Sequence, residues 1–193
     1  MEENRILLTL EIKNLGVKQN KLGVVIITSV KEVLLDQLAA CHDDESWFKS
    51  SKTILDDISV AEAIWKTAGH PHSIWEIANH LIFWNEMWLT RFINDEMFEN
   101  GNVNNKETFG LDHLKINEES WCKTIHRLSN GFSDWRDIIA NCEVSKLEGR
   151  IPSYFNAQWW NVVSNLCIHN AYHIGQMMFL KKIVRLNETN VQG

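Results

Sequence analysis

Apolar residues recur every three or four positions along most of this 193-residue chain, and that spacing predicts helices. From about Thr28 to His42, Val30, Val33, Leu34, Leu38 and Cys41 define a first helix. Ser59-Val60-Ala61-Glu62 has capping-box spacing and opens a short helical piece that ends at Gly69, before Pro71. Ser73-Ile74-Trp75-Glu76 repeats the pattern. It opens a second long helix, whose stripe of Ile74, Ile77, Leu81, Trp84 and Trp88 runs to near Ile93. That is about 20 residues, or roughly 30 Å. A third helix is expected over about Asn117–Cys142, burying Trp121, Leu128, Phe132 and Trp135. A fourth is expected over about Asn156–Leu186, burying Trp159, Val163, Leu166, Ile174, Met177 and Leu180.

Between the second and third helices, Asn94–Lys115 is polar and contains Gly101 and Gly110. A loop of that length is uncommon in a compact domain and marks either function or a crossover between non-adjacent elements. The expected fold class is therefore all-α, a four-helix bundle with a long crossover connection between helices 2 and 3. Residues 28–187 would form the bundle, 1–27 an N-terminal extension and 188–193 a C-terminal tail. In the extension, Leu8, Leu10 and Ile12 alternate with polar residues and Val24–Thr28 is rich in β-branched residues, a pattern that fits either a short hairpin or a loose arm.

Composition adds exclusions. The net charge of −6 argues against bulk nucleic-acid binding and against anionic membrane surfaces. No apolar run reaches the roughly 18 residues of a membrane span. Cys41, Cys122, Cys142 and Cys167 form no CxxC pair. With no export signal recognised, they are expected to be reduced thiols in a cytoplasmic protein, with Cys41, Cys122 and Cys167 buried. Two prolines permit long helices, and nine tryptophans supply core area whose ring N–H groups need partners.

The eight histidines carry the candidate chemistry. His169 and His173 are four apart on the fourth helix, so both imidazoles face one way and could reach a single ion. Such a pair is weak evidence alone, because polar residues on a helix face produce it by chance. His80, on the second helix beside Ile77, Leu81 and Trp84, borders the core face and needs a partner there. Three imidazoles from two packed helices would make an open metal site; the alternative is hydrogen-bonded core histidines without metal. His42, His70, His72, His113 and His126 are expected at helix edges, in solvated loops or on the surface.

The run His169-Asn170-Ala171-Tyr172-His173-Ile174-Gly175-Gln176 resembles the His-x-x-Tyr-His-x-Gly-Gln signature of the DinB superfamily. His72 through Trp84 resembles that family's second-helix motif, and Leu55–Trp65 a further piece of it. The resemblance covers about Ser29–Arg185. It implies a bundle of non-sequential helix order. It also implies a divalent ion (nickel, zinc, manganese or iron) on His80, His169 and His173, and frequent homodimers. Family members with assigned activity include S-transferases that use low-molecular-weight thiols.

The expected function is thus a metal-dependent enzyme transferring such a thiol to an electrophilic small molecule. The rivals are a metal-dependent hydrolase and a non-catalytic metal-binding or dimerising bundle. Glu76, one turn before His80, is a candidate base, against a plain capping role. Gln176 is a candidate to orient a ligand or substrate, with Tyr172 beside it, and Tyr154 and Asn156 are candidates for the pocket rim.

Overall fold

Ser29 caps the first helix of the computed structural model, α1 (Val30–His42), through a reciprocal capping box with Glu32. The structure describes residues 18–19, 25–26, 29–44, 46–95, 103–111 and 115–191. Two short helices follow, α2 (Ser51–Leu55) and α3 (Val60–Ile64). The Ser59/Glu62 capping box on α3 is formed as its spacing predicts. Helix α4 (Ile74–Asn94) starts at a third box, Ser73/Glu76, and stops where Asp95 turns left-handed. Next come a 3-10 turn at Glu107–Phe109, α5 (Glu118–Asn141), α6 (Val144–Glu148) and α7 (Trp159–Val191).

Strands are minimal among the described residues. β1 (Lys18–Gln19) pairs antiparallel with β2 (Val25–Ile26), and β3 (Arg150–Ile151) with β4 (Ala157–Gln158). Leu8, Leu10 and Ile12 lie outside the described residues. The β3–β4 turn runs through Phe155 and Asn156, both left-handed with φ of 53° and 54°, and closes with the Ala157 N–H on the Tyr154 carbonyl at 3.0 Å. This hairpin occupies Asn156–Gln158, which the apolar period had assigned to the fourth helix. That helix therefore starts at Trp159.

The chain is mostly helical. α1 packs on α5 and α7, and α4 packs on the same two, so the ring order is α1–α5–α4–α7. The order is non-sequential, yet the long 95–117 connection is not what crosses it. That connection joins α4 and α5, which pack directly on each other. The crossings are made by residues 43–73, with α2 and α3, and by residues 142–158, with α6 and β3–β4. The surplus length of 95–117 is used differently, as its 3-10 turn folds back onto α4.

One core cluster surrounds Trp75, Leu81, Trp121 and Phe132; the other surrounds Leu38, Phe92, Trp135 and Trp159. Each such side chain stabilises the fold by about 1.5–3 kcal/mol on burial. Four buried indole N–H groups have partners: Trp75 donates to Thr124, Trp121 to the Ile58 carbonyl, Trp135 to the Asn85 carbonyl and Trp159 to Asp95. Between α4 and α7, the amides of Asn85 and Asn170 bond each other reciprocally at 2.8 and 3.1 Å, fully enclosed.

Three sequence expectations change. Cys122 is exposed while Cys41 and Cys167 are buried, because Cys122 is one position past Trp121 and points off the inner face of α5. His42 is buried, stacked on Phe132 and bonded to Ser129 at 2.8 Å. His72 is half-buried rather than solvated, with its ring stacked on Phe109 at 3.8 Å. His113 lies outside the described residues. No helix among the described residues is long and apolar enough to cross a membrane.

Candidate metal centre

His80 sits seven residues into α4, on the face turned to α7. Its side chain is buried, and its Nε2 lies 3.1 Å from Nε2 of His169 on α7. His173, one turn further along α7, completes a cluster whose ligand atoms all lie within 4.8 Å of one another. The three imidazole rings stand edge-on or tilted to each other, with centroids 4.6 to 5.0 Å apart. The structure thus brings together the three histidines that the sequence singled out.

Hydrogen bonds fix which nitrogens face inward. The Thr108 hydroxyl donates to the Asn105 carbonyl at 2.7 Å, so it can only accept from Nδ1–H of His80, 2.6 Å away. His80 Nε2 is left with its lone pair directed at the cluster. Likewise Nδ1–H of His173 donates to Oε1 of Gln176 at 2.7 Å, leaving Nε2. His169 has no such support among the described residues: its Nδ1 is enclosed without a partner there.

Burial, reinforced by the neighbouring imidazoles, pushes His80 down to about 3 and His169 down to about 4. Burial also lowers His173, although its bond to Gln176 opposes the shift. All three rings are therefore neutral near pH 7, the form that ligates metal.

Phe109 stacks on His80 at 3.9 Å and 10°, and on His72 at 3.8 Å. Trp84 stands edge-on to His80 and His169. These rings form one wall of a cavity of about 570 Å³, which continues past Trp88, Tyr154, Leu166 and Tyr172. Among the remaining candidates, Tyr154 and Tyr172 line this cavity, whereas Asn156 lies in the exposed β3–β4 turn and does not. Gln176 acts on His173 from outside it. Glu76 is not brought to the cluster: one carboxylate oxygen accepts from the Ser73 N–H and the other from Lys66, each at 2.7 Å.

Thr108, Asn105 and Phe109 are site residues that sequence reasoning missed. The unusual length of the loop carrying them was the only signal.

The donor set fits a divalent transition metal. Three neutral imidazoles converge, two of them are oriented through their distal nitrogens, and no carboxylate among the described residues joins the cluster. The fold and cluster thus define a mostly helical protein with a three-histidine site compatible with a divalent metal. The chain belongs to the DinB superfamily, whose family model matches residues 43–177. No curated protein and no solved structure matches it.

Proposed function

We propose that the protein is a metal-dependent enzyme that transfers a low-molecular-weight thiol to an electrophilic small molecule, with the metal held by His80, His169 and His173. The observation that carries this reading is the oriented cluster: two ligand rings are locked by Thr108 and Gln176 with their free nitrogens turned inward. A divalent ion held there supplies Lewis acidity that lowers the pKa of a thiol reaching the site. The chain's own residues do the rest. Trp84, Trp88 and Leu166 shield the cavity from water and pack an apolar acceptor. Phe109 and Thr108 hold the His80 ring in its plane. In the overall reaction the thiol sulfur forms a bond to the electrophilic carbon. The bond to the leaving group breaks with its electron pair, and the thiol proton passes to solvent. Glu76, engaged with Ser73 and Lys66, caps α4 and takes no part; Gln176 is a positioning residue.

The wider assignment follows the same line. The ring of α1, α5, α4 and α7 is a four-helix bundle, and the protein works in the cytoplasm as a homodimer. The dimer reading rests on α7, where Ile168, Tyr172 and Phe179 are exposed along one stripe. Gly175 lies in the same stripe, with nothing within 4 Å of where a Cβ would stand. Sedimentation at micromolar concentration checks this: a wild-type monomer overturns it, and Phe179→Glu is expected to split a dimer.

The main test is elemental analysis of protein purified without chelator, followed by assay with small thiols and a chromogenic electrophile. About one divalent ion per chain and turnover lost on chelation are expected. A metal-free protein sinks the metal assignment, and a metal-loaded protein inert to every thiol sinks the transferase assignment.

A further inference from the structure

Arg91 is 92% removed from solvent, at 8% exposure, yet it makes no ion pair and no side-chain hydrogen bond among the described residues. Its Nε is enclosed without an acceptor. Nε is the one guanidinium nitrogen enclosed in this way; a guanidinium with no counter-charge beside it among the described residues is costly to bury, and burial lowers its pKa. The group that would offset this cost is an anion. The contacts Arg91 does make are with the cavity wall. Its guanidinium carbon stands 4.7 Å from the centroid of the Trp88 ring, and Trp88 in turn meets Tyr154 edge-on at 5.1 Å. Both aromatic rings line the cavity that begins at the histidines.

Helical geometry puts Arg91 in line with the metal cluster. Eleven residues is close to three full turns, so His80 and Arg91 share a face of α4, about 16 Å apart along its axis. Trp84 and Trp88 lie between them on that face. Imidazoles thus stand at one end of the cavity and aromatic walls line its middle, while Arg91, which pairs with no anion among the described residues, is not a lining residue and stands behind Trp88 at the far end. Asn105, Asn165 and Tyr172 also line it, and no carboxylate borders it among the described residues.

We propose that Arg91 is the anchor for the anionic end of an elongated organic ligand, a carboxylate with an aromatic or apolar body, whose other end reaches the three histidines. This extends the metal-enzyme reading by naming a substrate class, but the anion site stands on Arg91 and Trp88 and does not require the metal. The competing account is purely structural. In it Arg91 serves the C-terminal dipole of α4 and packs on Trp88, and an anion gains nothing.

Calorimetric titration with para-phenylbenzoate and its neutral amide, para-phenylbenzamide, separates the two. Both are tested on the protein as purified and after chelator treatment, with metal content measured on each sample. The carboxylate is expected to bind roughly tenfold or more tightly than the amide, with or without metal, and the preference to shrink as salt rises. Arg91→Gln is expected to bind both probes alike, and Arg91→Lys to retain part of the preference. Equal binding of the two probes to wild type, or binding of neither, overturns the proposal. So does a preference that survives Arg91→Gln, or one confined to metal-loaded protein, since a carboxylate would then be seeking the ion. If Arg91→Gln does not fold, Arg91→Lys against wild type carries the test: an undiminished amide affinity with a weakened carboxylate supports the anchor, and parallel loss of both overturns it. Absence of metal alongside a carboxylate preference would sink the metal reading and leave the anion site standing.

Discussion

Nδ1 of His80 on α4 donates to the hydroxyl of Thr108, 2.6 Å away on the connection between α4 and α5. Because the Thr108 proton is committed to the Asn105 carbonyl, the bond selects one tautomer of His80. Thr108→Val keeps the shape and removes the acceptor. The expected result is metal affinity weaker by about 10–100-fold with the helical fold intact, whereas Thr108→Ser stays near wild type. Competition titration against a chelator of known affinity checks this; an unchanged affinity in Thr108→Val removes the orienting role.

Glu76 makes the opposite prediction. Its two oxygens serve the Ser73 cap and Lys66, so Glu76→Ala should cost about 1 kcal/mol of stability and leave metal content unchanged. Denaturant unfolding and elemental analysis on the same sample decide it. Loss of metal with unchanged stability would return Glu76 to the site.

The pH dependence of the metal-free protein has a definite sign. The three site imidazoles lie below the ordinary value of 6.5, with His80 near 3 and His169 near 4. Below pH 6.5 the unfolded chain therefore binds more protons, and folding stability falls as pH drops toward those values. Asp57 adds to the loss at lower pH: hydrogen bonds from Lys181 and Arg185 hold it at about 2, so its contribution is present above the ordinary carboxylate value of 3.8 and fades as acid approaches 2. Melting curves should begin to shift down below about pH 6.5, before carboxylates titrate, and a flat profile to about pH 5 would contradict the burial of these rings.

The Asn85–Asn170 pair is buried between α4 and α7. Replacing one partner strands the other amide, so Asn85→Leu or Asn170→Leu should each cost about 1–3 kcal/mol or more. The double variant should cost less than the sum, with the coupling energy read from a double-mutant cycle in urea. Strict additivity would show that the amides do not depend on each other.

The legible parts of this protein were local and periodic. The hydroxyl-to-glutamate spacing at Ser59 and Ser73 announced two helix starts, and the four-residue spacing of His169 and His173 announced a shared face. Two features depended on tertiary placement. Nothing in the sequence around Thr108 distinguishes it from a solvated loop threonine; it matters because the loop folds back onto α4. His72 looked like a loop residue beside Pro71 and became a stacked ring only because Phe109 arrives from 37 positions away. The β3–β4 hairpin was obscured by Trp159, Val162 and Val163, whose helical period invited extension backward through Asn156. Phe155 in a left-handed turn runs against its own conformational preference and left no readable signal.

The separation of His80 from His169, 89 positions along the chain, also has a kinetic consequence. Neither α4 nor α7 alone presents more than two of the three ring nitrogens. The complete binding set comes into being only when these sequence-distant helices dock, a slow class of contact to form. In a refolding experiment, full-strength metal capture should thus lag the appearance of helical signal, making the ion a reporter of the docking step rather than a seed for it.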